Sequence, residues 1–73
     1  MPYVTIDLVL PQRDYKQRLI NLEREIKSLG GSFGYIINIA QYGSVNITII
    51  VKLPTNDLIN AFVAGIILVQ VGM

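Results

Sequence analysis

Neither cysteine nor histidine occurs among the 73 residues of this chain, and that double absence limits what it can fold into more than any motif it contains. A domain of this size draws only a few kcal/mol of net stability from one hydrophobic core, and the usual reinforcements are disulfides, a structural metal or a partner subunit. The first two need residues the chain lacks. Association is what remains, and composition points the same way. Hydrophobic residues make up 52% of the chain and charged residues 15%, the latter against about 25% in ordinary globular domains. Surplus apolar surface on so small a body is expected to be buried between subunits.

The pattern along the chain is that of a single α/β domain over residues 1–73. From Tyr3 to Leu10, the apolar Val4, Ile6, Leu8 and Leu10 alternate with Tyr3, Thr5, Asp7 and Val9, the period of a half-buried strand that Pro11 ends. From about Arg13 to Leu29 the spacing changes to fours and threes. Tyr15, Leu19, Leu22, Ile26 and Leu29 then share one helical face, and Gly30 and Gly31 supply the stop. Asp14 with Arg18, and Glu23 with Lys27, form pairs four residues apart on the solvent side.

Residues 34–53 are rich in Ile and Val around Gly43-Ser44, a glycine-first pair suited to a two-residue type II′ turn between antiparallel strands. That loop aligns Tyr42 with Val45, Ala40 with Ile47, Asn38 with Ile49 and Ile36 with Val51 on the face that meets the helices. The opposite face then carries Tyr35, Ile37, Ile39 and Ile50, which is more apolar than a solvated sheet face should be.

Pro54-Thr55-Asn56-Asp57 opens a second helix, with Thr55 or Asn56 as N-cap and Asp57 in the first turn. Gly65 either stops that helix before a strand over Ile66–Val71 or lies inside a helix that runs on. The β-branched Ile66, Ile67, Val69 and Val71 favour the strand. The expected fold is an α+β, ferredoxin-like two-layer sandwich, βαββαβ or βαββα, with two helices on one face of an antiparallel sheet.

The same absences narrow the chemistry. Without His or Cys the chain has no imidazole base, no thiolate nucleophile and none of the usual transition-metal ligands. Of its five acids, Asp14 and Asp57 sit at helix starts, Glu23 and Glu25 on a solvated helix face, and Asp7 on the outer side of the first strand. The expectation is therefore a protein that is not an enzyme, with no catalytic residues, metal or cofactor.

A formal net charge of +1 argues against nucleic acid and anionic membranes as partners. The alternating N-terminus has no basic region before its apolar run, so it does not read as a signal peptide. The longest apolar stretch, Ala61 to Val69, falls short of the ~20 residues of a membrane-spanning helix. A cytoplasmic setting is the expectation. An RNA-binding module shares the element order, but Val45–Val51 lacks the basic-Gly-aromatic-Gly-aromatic motif of such modules, which leaves RNA a subordinate reading.

The element order and the segment Leu29–Ile39 resemble the ACT-type small-molecule-binding regulatory domains at the level of the fold. That resemblance implies an amino acid or similar small metabolite held at a subunit boundary, near the loop between the first strand and first helix. Gln12-Arg13-Asp14-Tyr15 stands there and supplies Arg13 of the family's Arg-Pro-Gly element. The candidate ligand residues are Arg13, Asp14, Gly30 and Gly31, and the candidate interface is Tyr35, Ile37, Ile39 and Ile50. The function expected is a homo-oligomeric regulatory or adaptor module joined through its open sheet face. The alternative is an obligate small subunit or viral accessory module that binds a different protein and no small ligand.

Overall fold

The computed structural model describes residues 1–71, with side chains placed as far as Ile66. Three strands and two helices follow in the order β1 (Tyr3–Pro11), α1 (Tyr15–Ser28), β2 (Ser32–Gln41), β3 (Ser44–Lys52) and α2 (Asn56–Val71). The strands form one antiparallel sheet in the order β1-β3-β2, which leaves β1 and β2 as its edges among the described residues.

The expected alternation decides which side of β1 and β3 is buried. Val45, Ile47, Ile49 and Val51 on β3 are fully buried, and their partners on β1, Leu10, Leu8, Ile6 and Val4, share that inner face. Leu19 and Ile26 from α1, and Ile59 and Phe62 from α2, join the same core cluster. Tyr15 and Leu22 of α1 pack against it as the helical spacing predicts, whereas Leu29 caps α1 and stays exposed.

Gly30 takes φ +83°, the left-handed conformation that a side chain disfavours, and ends α1 as expected. Gly31 has a different reason to be glycine. A Cβ there would run into the Lys52 carbonyl oxygen and lie 2.8 Å from Leu53 Cδ2. The chain enters β2 directly beneath the end of β3, and only a residue without a side chain fits. At the start of α2 the Thr55 hydroxyl accepts the Leu58 N–H at 3.2 Å, so Thr55 is the N-cap.

Two expectations need correction. The hairpin turns on Tyr42-Gly43, both with positive φ (+50° and +79°), a type I′ geometry in place of the expected Gly43-Ser44 loop. Gln41 therefore faces Ser44, and Ala40 faces Val45. A β-bulge then interrupts the ladder between Ile37 and Ile39, after which Ile37 faces Ile47, Tyr35 faces Ile49 and Phe33 faces Val51. The bulge throws Asn38 onto the outer face, where its amide finds partners. A regular ladder would have set it against fully buried Ile47, at a cost of ~1–3 kcal/mol for an unsatisfied amide. It also brings Phe33 rather than Gly34 to the core. As a result Tyr35 and Ile37 lie on the helix side of the sheet, while Ile39, opposite Asn46, and Ile50, opposite Gly34, lie on the outer face.

The second correction is at the C-terminal end, where residues 66–71 continue α2 instead of forming a strand. Only Ala64 and Gly65 separate Val63, packed against the core, from Ile66, too short a connection to carry the chain back to a sheet edge. A helix satisfies each successive N–H locally, and the β-branched residues cost it only a few tenths of a kcal/mol apiece. The side chains of residues 67–71, together with residues 72 and 73, lie outside the described residues.

Candidate interaction surface

All charged residues except Lys52 and Asp57 precede Ser28, so β2, the hairpin and nearly all of β3 carry no charge. On β3 this is what a central strand requires. On β2 it leaves an edge strand without the lysines, prolines or acidic residues that ordinarily prevent edges from pairing with other chains. The only interruption is the Asn38 bulge, leaving Ser32–Ile37 as a regular stretch.

Apolar side chains crowd this edge on both faces. Ile36 and Ile39 on the outer face, Tyr35 and Ile37 on the helix side, and Ile20 of α1 are each between 45% and 57% exposed. At roughly 200 Å² for a fully exposed large side chain, the five present on the order of 500 Å². Divided between the two faces of one edge, that total equals the largest single apolar patch of a typical monomer.

The outer face also carries a polar row that crosses all three strands. Asn38 Nδ2 donates to Thr48 Oγ1 at 2.7 Å and to Asn46 Oδ1 at 3.0 Å, and Thr48 Oγ1 donates to Asp7 Oδ1 at 2.7 Å. The row is exposed, and Val9 and Ile36 flank it. It ties the two edges to β3 and holds the bulged residue in place. Beside it, Val9, Ile39, Gln41, Ser44 and Asn46 line a shallow depression of about 260 Å³.

On the helix side, a groove of about 270 Å³ runs between α1 and β2, lined by Lys16, Leu19, Ile20, Glu23, Phe33 and Tyr35. The Phe33 and Tyr35 rings stand 6.2 Å apart at 42°. Lys16, Ile20 and Glu23, spaced by four and three, form the helical wall of this groove.

The four candidate ligand residues are not brought together. Arg13 and Asp14 line an open depression of about 590 Å³ at the start of α1, and Asp14 Oδ1 pairs with Arg18 Nε at 3.3 Å. Gly30 and Gly31 lie beyond the other end of that helix, about 20 Å away at ~1.5 Å rise per residue. Of the four candidate interface residues, Ile39 and Ile50 lie on the outer face and Tyr35 and Ile37 on the inner. All but Ile50 belong to the exposed surround of β2, Ile50 being half-buried on β3.

Sequence reasoning passed over Ile20 and the row from Asn38 to Asp7, and it set Ile36 on the helix-facing side, whereas Ile36 lies exposed opposite Thr48 on the outer face. The signal that points to β2 is the uncharged run between Lys27 and Lys52. Among the described residues no group of three or more acidic side chains converges, and no helix is long and apolar enough to cross a membrane. No protein family matches the sequence, and no curated protein or solved structure matches it.

Proposed function

We propose that the protein is a small non-enzymatic assembly module, a regulatory or adaptor unit of ferredoxin-like type lacking the final strand, that acts by associating with further copies of itself. The observation that carries this reading is the uncharged, apolar, unpaired edge strand β2 in a chain too small to bury it alone. α1 packs chiefly against β2 on the inner sheet face, yet Tyr35 and Ile37 at that edge stay half open. A subunit contact there supplies the burial that a 73-residue core lacks.

Light scattering behind size exclusion, across a dilution series, tests the reading. A dimer or larger closed assembly at micromolar concentration is the expected outcome. A monomer at every concentration would contradict it and would direct attention to a different protein as the partner of the same surface.

A further inference from the structure

We propose that two copies of the chain join edge to edge, β2 against β2 about a two-fold axis at Tyr35, making one continuous six-stranded sheet. The inference rests on the self-association reading above and names its geometry. Antiparallel pairing of a strand with itself is isologous, so every contact is made twice and the surface must complement itself.

Three features of this surface do so. The first is parity. Residues opposite each other across an antiparallel pair share a face, so the register must match inner with inner and outer with outer. Centring the axis on Tyr35 uses the whole regular stretch before the bulge: Phe33 meets the partner's Ile37, and Gly34 meets the partner's Ile36. Nothing lies within 4 Å of where a Cβ on Gly34 would stand, and exposed Ile36 of the second copy fills that gap.

The second feature is charge. Lys16, Ile20 and Glu23 share the groove with Tyr35, so the axis at Tyr35 passes beside Ile20. Reversing α1 about it brings Lys16 toward the partner's Glu23, Glu23 toward the partner's Lys16, and Ile20 onto the partner's Ile20. Glu23 lies 3.9 Å from Lys27 within its own helix, an exposed contact that leaves it free to accept a second cation. The edge itself brings no charge to the contact.

The third feature is area. Ile20, Tyr35, Ile36 and Ile37 present about 400 Å² of exposed apolar side chain per copy, which together with the open backbone row of β2 supplies more than half of the ~800 Å² per partner of a standard stable interface.

Because the chain has no cysteine, single-cysteine variants test this geometry without background. Residues opposite themselves across the axis have Cα atoms about 4.5–5.5 Å apart, inside the ~4.4–6.8 Å window of a disulfide. Tyr35→Cys is expected to give a covalent dimer on mild oxidation. Ile39→Cys, whose two copies stand over 20 Å apart at ~3.3 Å per residue, is expected to give none.

In parallel, Lys16→Glu should weaken the dimer about tenfold through two like-charge contacts, and adding Glu23→Lys should restore it to within about twofold. The charge variants alter exposed side chains only and remain informative if Tyr35→Cys fails to fold. A wild-type dimer with equal cross-linking at both cysteines, or without rescue by the charge swap, would overturn the edge geometry and leave self-association standing. A wild-type monomer would overturn both.

Discussion

The two edges of the sheet share a direction and a central partner, yet they are built in opposite ways. β1 follows Pro2 and ends on Pro11, and its central outer residue is Asp7. The Pro2 carbonyl accepts the Leu53 N–H, and the Asp7 carboxylate accepts the Thr48 hydroxyl, so the edge is tied inward. β2 has neither proline nor charge, and isoleucine or tyrosine stands exposed on both its faces. The lesson is that protection from pairing is a property of each edge, and the self-association proposed above uses the edge that lacks it.

The strongest way to break the comparison is to remove β2 from the sheet. Gly31→Leu forces a side chain against the Lys52 carbonyl and Leu53, and is expected to unfold the protein, with loss of the cooperative thermal transition by circular dichroism. Next in size, Ile36→Lys puts a charge on the open edge at no cost to the core and is expected to weaken association at least a hundredfold by sedimentation, with little change in monomer stability.

The converse substitution sharpens the contrast. Asp7→Val removes the charge from β1, and the expected outcome is species larger than the wild-type assembly by light scattering, as a second edge becomes adhesive. Smaller again, Asn38→Ala deletes two exposed hydrogen bonds across the outer face. It should cost about 1 kcal/mol in urea unfolding while association is kept. Smallest, Asp14→Ala removes an exposed pair with Arg18 and should shift stability by a few tenths of a kcal/mol.

How much of this was legible in the sequence differs element by element. β1 and α1 announce themselves because a single periodicity, of two and then of three to four, sorts Val4 to Leu10 and Tyr15 to Ile26 onto one face each. The N-cap of α2 follows from local chemistry at Thr55.

The hairpin was legible in place but not in register. Choosing Gly43-Ser44 over Tyr42-Gly43 spares Tyr42 a left-handed conformation that costs ~1–2 kcal/mol, which is the sensible local choice. That shift moves the pairing by two residues and leaves every face unchanged; the bulge alone keeps Asn38 out of the core and brings Phe33 into it, and a bulge is invisible to a rule of strict alternation.

Continuation of α2 through Gly65 was likewise decided by what the chain has to reach, against the β preference of the isoleucines and valines. The candidate surface was half legible. Tyr35, Ile37 and Ile39 are legible as surface, whereas Ile20 and Ile36 are not, and the distribution over two faces of one edge depends on the bulge and cannot be read from spacing.

The central claim is that β2, and not β1, is the edge at which copies meet. Amide hydrogen exchange at two protein concentrations, one dilute enough for monomer and one well above the association midpoint, tests it directly. The account predicts that those amides of Phe33 to Ile37 that point away from β3 gain at least tenfold protection at the higher concentration while those of Thr5 to Val9 do not change. Protection gained along β1 with none along β2, or equal exchange of both strands at both concentrations, would contradict it.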